Sequence, residues 1–276
     1  MKTLKNASLC LMAVFLCYGL QAQNEIKDQL TVPLSDPGKP YKLQANLMNG
    51  SIKVVGYQGK EIVIDVQQDS ENNEDSRQSG SGMRRIASGG GLDLKAEEKS
   101  NRVTVHTGVN SRPIHLVIKV PQDGASLKLG SINGGDIMVE NVNGEMEINN
   151  ANGAIRLSKV GGSVVANTIN GDVEVSFVKV DPNAPMAFST LNGNVDVTFP
   201  ADLKANMKMR SDRGEMFTDF DLAVDRSQPK INKTSESGMY RLTVDDWVYG
   251  KINGGGPEMM MKNMNGNIYI KKAKKQ

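Results

Sequence analysis

Three charged residues stand at positions that could do chemistry together. Arg156, Glu174 and Asp196 each follow an Asn-Gly step by the same short interval, and Met138 occupies the matching place 18 residues before Arg156. If the units stack, these four share one outward column, and the two carboxylates lie about 5 Å apart. That separation resembles the carboxylate pair of retaining glycoside hydrolysis. The competing reading is a solvated charge ladder in which Arg156 offsets its neighbour Glu174. No sequence feature supplies the enclosing pocket that would raise the pKa of an acid catalyst, so the ladder is preferred.

Other candidates carry less. His106 and His115 are the only histidines. Each alternates with apolar strand residues, and no acidic spacing nearby completes a metal site. Asp136, Glu145 and Asp172 follow glycines of the repeat, which resembles a calcium-binding nonapeptide roll. The equivalent positions elsewhere hold Ala154, Ser163 and Asn194, which breaks the carboxylate series. Gly80 to Gly82 and Gly89 to Gly91 lack the lysine spacing and following helix of a phosphate-binding loop. Met83-Arg84-Arg85-Ile86 reads as part of a tether. Lys271, Lys272, Lys274 and Lys275 form a basic tail whose chemistry would suit anionic lipid or polysaccharide. No catalytic, cofactor or metal residue is assigned, and the ligand-binding residues are not specified by the sequence.

The elements that position these residues come from internal repetition. Asn-Gly occurs eight times, with glycines at Gly50, Gly134, Gly144, Gly153, Gly171, Gly193, Gly254 and Gly266. The unit is about nine or ten residues and two units make a coil. Each glycine precedes an alternating stretch such as Ala154-Ile155-Arg156-Leu157 or Asp172-Val173-Glu174-Val175, the pattern of a strand with one buried face. Asn and Gly both tolerate positive φ, so the pair marks a turn before each strand. A meander of hairpins would also use Asn-Gly. Stacking is favoured because Ser131-Ile132-Asn133-Gly134 aligns with Asn150-Ala151-Asn152-Gly153, Thr168-Ile169-Asn170-Gly171 and Thr190-Leu191-Asn192-Gly193. Stacked turns let asparagine amides bond from coil to coil at about 4.8 Å, a constraint that a meander lacks.

The alignment predicts the core. One inward column is Ile137, Ile155, Val173, Val195 and Met216. The opposite wall supplies Met146, Val164, Met186 and Met207, followed by Ile148, Ala166, Phe188 and Met209. Methionine serves here as flexible filler of a narrow interior.

Composition fits. The chain has 276 residues, 38% hydrophobic and 5% aromatic, which excludes wholesale disorder, a collagen-like chain and a membrane-spanning bundle. Lys2 and Lys5, an apolar run over 9–16 and the small residue Ala22 read as a cleavable export signal. Cleavage after Ala22 removes two of the 33 basic residues and none of the 31 acidic ones, so the mature chain is formally neutral. Both cysteines, Cys10 and Cys17, leave with the signal, and disulfide and thiol chemistry leave with them.

The organisation expected is therefore a signal peptide over 1–22, an N-terminal β region over 23–125 with a polar mobile loop at 67–91, a β-strand-repeat solenoid over 126–271 and a basic tail over 272–276. Strands are expected at Tyr41 to Leu43, Ile52 to Val55, Ile62 to Val66, Gly91 to Leu94, Arg102 to Thr107 and Ile114 to Val120, with closing strands at Met239 to Val244 and Asn267 to Ile270.

The run from Leu127 to Val175, with Ser131-Ile132-Asn133-Gly134-Gly135, Val142-Asn143-Gly144, Gly162-Ser163-Val164-Val165-Ala166 and Ile169-Asn170-Gly171-Asp172-Val173, resembles a bacterial β-strand-repeat domain family of unknown function whose members are labelled adhesins. Residues 185–193 and 208–214 continue the likeness, which spans roughly Tyr41 to Lys271. The resemblance implies an exported, right-handed β-helix-like envelope domain and supplies no catalytic residues. The expected protein is an all-β, right-handed parallel β-helix-like solenoid with Asn-Gly corners. Its expected role is a non-enzymatic scaffold in the periplasm or at the cell surface, structural or adhesive, binding a glycan or an envelope protein through exposed sheet faces. A polysaccharide-active β-helix enzyme and a periplasmic envelope-stress or assembly partner are the alternatives. No cofactor, nucleic acid or membrane span after signal cleavage is expected, and the sequence leaves oligomeric state open.

Overall fold

The computed structural model describes residues 26–68, 94–108, 113–225, 231–236, 239–244 and 246–274. The expected signal peptide lies outside them, as does the expected loop over 67–91 except for Gln67 and Gln68, which end a strand instead. All regular structure among the described residues is β-strand, and twenty strands join one solenoid-like sheet.

The chain opens with β1 (Ile26–Pro33), β2 (Tyr41–Asn49), β3 (Ile52–Tyr57) and β4 (Glu61–Gln68). Next come β5 (Leu94–Lys99), β6 (Arg102–Thr107) and β7 (Ile114–Pro121). The repeat then supplies β8 (Ala125–Asn133), β9 (Ile137–Glu140), β10 (Asn143–Asn150), β11 (Ile155–Asn170), β12 (Val173–Val180), β13 (Met186–Asn192) and β14 (Val195–Phe199). After it follow β15 (Ala205–Ser211), β16 (Met216–Thr218) and β17 (Leu222–Asp225). The strands β18 (Ile231–Glu236) and β19 (Met239–Val244) pair with each other, and β20 (Val248–Ile252), β21 (Glu258–Asn265) and β22 (Ile268–Lys272) end the chain.

The registers resolve into two ladders. The first runs β5, β6, β2, β8, β10, the C-terminal half of β11, β13, β21, β15, β20 and β17. The second runs β1, β4, β7, β3, β9, the N-terminal half of β11, β12, β14, β22 and β16. Pairing is parallel from β6 to β15 in the first and from β7 to β16 in the second; antiparallel strands flank the parallel run at both ends of the first ladder and at the β1–β4 end of the second. Inward side chains of both ladders meet in one apolar cluster. Across it Phe177 and Phe199 stack at 5.2 Å between ring centres, and Phe188 from the first ladder meets each edge-on at 6.3 Å.

The inward column Ile137, Ile155, Val173 and Val195 forms as expected, each residue fully buried and worth about 1.5–3 kcal/mol in apolar area removed from water. The next member differs. Val195 lies against Ile268, and Met216 comes one strand further out. On the other ladder Met259 separates Met186 from Met207, and Met261 separates Phe188 from Met209. The strands β21 and β22 are thus inserted between coils that are consecutive in sequence. Methionines and isoleucines at period two let them match the columns on both sides. Met216, left in the outermost strand of its ladder, is exposed.

The repeated tetrapeptide has a division of labour. Its first residue is buried and polar and donates to a glycine carbonyl of the adjoining coil: Thr168 to Gly153 at 2.9 Å, Thr190 to Gly171 at 2.8 Å. The third residue is asparagine, and Asn170 donates to Asn152 at 2.8 Å. The fourth is glycine for two reasons, both visible at Gly171. Its φ is 151°, and a Cβ there would sit 2.3 Å from the Gly153 carbonyl oxygen.

Candidate functional site

Outward side chains of each ladder make two polar faces. On the second ladder Met138, Arg156, Glu174 and Asp196 do stack on successive strands, between Lys53 and Tyr269. The carboxylates are spent on ion pairs. Arg156 pairs with Asp136 and reaches Glu174 at 3.6 Å, and Lys271 pairs with Asp196. The shallow depression over this column is about 430 Å3, and its charged side chains stay a third to a half exposed. Such solvated pairs hold the strands in register weakly and do not create a proton donor.

The sequence places Asp136 and Asp172 after repeat glycines, in a broken version of a calcium-binding roll. Each accepts a backbone N–H from the next coil: Asp136 from Ala154 at 2.8 Å, Asp172 from Asn194 at 2.7 Å. Asn194 does the same for Asn267 at 2.9 Å. Glu145 is exposed on the opposite face. The histidines lie on different ladders, His106 exposed on β6 and His115 on β7 with its Nδ1 2.8 Å from the Ser51 hydroxyl. Among the described residues no group of three His, Asp or Glu side chains converges to hold a metal. Lys272 lies 5.2 Å from the Phe220 ring, and Lys271 lies 5.3 Å from Tyr269. The residues 80–82, 83–86 and 89–91 singled out in the sequence lie outside the described part.

The face that sequence reasoning missed is on the first ladder. A groove of about 520 Å3 crosses β6, β2, β8, β10 and β11, lined by Lys42, Gln44, Arg102, Ser126, Lys128, Glu145, Glu147, Asn149 and Asn167. Its floor is a parallel ladder pinned on the inner side by Leu43, Leu127, Met146 and Val164, so the polar side chains stand on a rigid base. Lys128 and Glu147 pair across it at 2.8 Å. Asn167 donates to Asn149 and accepts from Ser189 at 2.6 Å. Amide, hydroxyl and charged groups on a flat open strip suit recognition of another polar surface or polymer. They do not build the closed, water-excluding cavity of a typical enzyme site.

This architecture defines an all-β strand-repeat protein with a polar outer face. Residues 124–253 match the Toastrack DUF4097 family, in agreement with the likeness seen in the repeat. No curated protein matches the sequence. Among solved structures, the chain is similar to a candidate cell adhesion protein from Clostridium sporogenes, at 11% identity over 90% of this chain and 100% of that one, with a TM-score of 0.45. It is also similar to a candidate adhesin from Bacteroides fragilis, at 10% identity over 91% and 98%, TM-score 0.31. A third is a candidate lipid binding protein from Parabacteroides distasonis, at 13% identity over 90% and 97%, TM-score 0.27. Among the described residues no helix is long and apolar enough to cross a membrane.

Proposed function

We propose that the protein is an exported, non-enzymatic scaffold of the cell envelope that binds a glycan or protein partner through the outer face of the first ladder. The observation that carries this reading is the groove over β6 to β11, a rigid strip of hydrogen-bonding and charged side chains open to solvent along its length. The ion-paired state of Glu174 and Asp196 supports a binding role over hydrolysis. In this reading the two ladders are the walls of a right-handed parallel β-helix whose Asn-Gly steps are its corners, and a crystal structure of the mature chain fixes the hand. The repeat presents equivalent outward groups at one strand spacing, about 4.8 Å, which suits an extended polymer.

The test has two parts. Cell fractionation with protease shaving is expected to find the mature chain outside the inner membrane. A glycan array together with crosslinking to envelope proteins is expected to show retention without turnover. Retention should fall when Gln44, Asn149 and Asn167 are replaced by alanine. A cytoplasmic location, cleavage of a polysaccharide that Glu174→Gln abolishes, or retention on no glycan and no envelope protein would each overturn the proposal.

A further inference from the structure

One row on the first ladder sets three like charges side by side on successive strands. Lys99 lies directly opposite Arg102 across β5 and β6, and Arg102 lies directly opposite Lys42 across β6 and β2. All three point outward and are exposed, on three successive strands that span about 10 Å. Like charges directly opposite one another destabilise a sheet. Several outward cations elsewhere meet carboxylates: Lys95 with Glu97, Lys128 with Glu147, Lys119 with Asp65, Arg156 with Asp136 and Glu174, and Lys271 with Asp196. Among the described residues no carboxylate pairs with Lys99, Arg102 or Lys42. Three cations held side by side without counter-charges form a site for an external anion.

The groove tells what kind. Beside the row stand Gln44 and Ser126, half-buried, with side-chain amide and hydroxyl unspent on described partners. They are hydrogen-bonding groups of the sort that meet sugar hydroxyls. Two strands beyond Lys42 the sign reverses, because Ser126 pairs with Glu145 in the same row. This row therefore runs from cations on β5, β6 and β2, past the Ser126 hydroxyl on β8, to the Glu145 carboxylate on β10, and from β6 onward it lies along the groove with Gln44 beside it on β2. An anionic group is attracted to the cations and repelled from that carboxylate. No outward aromatic side chain lines the groove, so it lacks the stacking platform that single-stranded nucleic acid uses.

We propose that Lys99, Arg102 and Lys42 are the docking row for an acidic polysaccharide, whose carboxylate or sulfate groups sit over the cations while its neutral sugars lie along Gln44 and Ser126. This deepens the reading of the groove as a binding face and rests on it. The contact is electrostatic and multivalent, so it weakens as salt shortens the screening length.

The experiment passes the mature chain over immobilised polygalacturonate, dextran sulfate and unmodified dextran at rising salt. Retention is expected on the acidic polymers and not on dextran, with elution by moderate salt. The polygalacturonate and dextran sulfate arms separate carboxylate from sulfate recognition. The Lys42→Gln/Arg102→Gln double variant is expected to lose affinity by about tenfold or more, some 1.4 kcal/mol. Lys119→Gln, which removes a cation paired with Asp65 on the second ladder, is expected to change it by less than about threefold. Thermal melting should show the double variant as stable as the parent or more so, since a like-charge contact is removed. Unchanged retention of the double variant on acidic polymers would overturn the inference. Retention on neutral glycans or on an envelope protein without any on acidic polymers would overturn it too, while leaving the binding-face proposal standing.

Discussion

Asn192 donates its side-chain amide to the carboxamide oxygen of Asn170 at 2.7 Å, across 22 residues of chain. Asn170 in turn donates to Asn152 at 2.8 Å, and Asn265 donates to Asn192 at 2.7 Å. The ladder begins where Asn152 donates to the Ile132 carbonyl at 3.1 Å. Each interior asparagine thus both gives and accepts one bond, which is why a carboxamide and not a hydroxyl or a carboxylate holds this place. Asn170→Ala removes two such bonds at an exposed position and is expected to cost about 1 kcal/mol, read as a lower urea midpoint at unchanged slope.

The glycine beside it is far less replaceable. Gly171→Ala places a methyl 2.3 Å from the Gly153 carbonyl oxygen at a φ of 151°, so backbone must move in two coils. A loss above about 3 kcal/mol is expected. Gly134→Ala is the control, because at φ 70° its Cβ meets nothing within 4 Å. There the left-handed conformation alone costs about 1–2 kcal/mol. Equal losses at the two positions would refute the close stacking of coils.

The inserted pair β21 and β22 can be located by crosslinking, since both native cysteines lie at positions 10 and 17. Asp196→Cys with Tyr269→Cys joins partners on adjacent parallel strands, within the Cα separation that a disulfide bridges. Asp196→Cys with Phe217→Cys spans two strand spacings, about 10 Å, and exceeds it. The first pair is expected to oxidise readily and the second to remain reduced. The reverse outcome would restore the stacking order that the sequence repeat implies.

That insertion marks the boundary of what the sequence discloses. Ile137, Ile155, Val173 and Val195 could be aligned because each follows the last by 18 or 22 residues and one motif travels with them. Ile268 follows Val195 by 73, and no local signal says that a late strand enters an earlier gap. The motif Asn263-Met264-Asn265-Gly266 was the available clue, since it repeats the tetrapeptide of the neighbouring coils. The charge column through Arg156 and Glu174 was legible by the same register, although Asp136 as the closer partner of Arg156 was not. The row Lys99, Arg102 and Lys42 was invisible because β2 and β6 are distant in sequence and β5 joins antiparallel, outside the repeat.

Tyr41 gives the fold an alkaline limit. Its hydroxyl donates to the Pro121 carbonyl at 2.6 Å. Burial, with a smaller contribution from the Asp123 carboxylate, pushes its pKa far above the ordinary value near 10. The unfolded chain therefore releases this proton at a pH where the folded chain keeps it, and stability falls as pH rises past about 10. Tyr41→Phe is expected to cost about 1 kcal/mol at pH 7 through the orphaned carbonyl. The gap between parent and variant should shrink above pH 10 by up to about 1.4 kcal/mol per pH unit, and a gap constant to pH 11 would contradict the assignment.

The buried polar column also contains a correctable fault. Thr168 and Thr190 satisfy glycine carbonyls with a single hydroxyl each. Asn263, fully buried in the same column, donates to the Gly193 carbonyl at 3.3 Å, but its own side-chain oxygen has no partner. An unpaired buried acceptor costs about 1–3 kcal/mol. Asn263→Thr keeps a donor toward Gly193 and deletes the orphan, and it places a β-branched residue in a strand, where that shape packs well. The variant is expected to gain about 1 kcal/mol in urea unfolding. Asn263→Ala, which deletes the orphan and the donor together, strands the carbonyl and leaves a cavity, so it should lose stability. If Asn263→Thr proves as damaging as Asn263→Ala, the asparagine oxygen has a partner in solution, such as a buried water, and the column is fully satisfied.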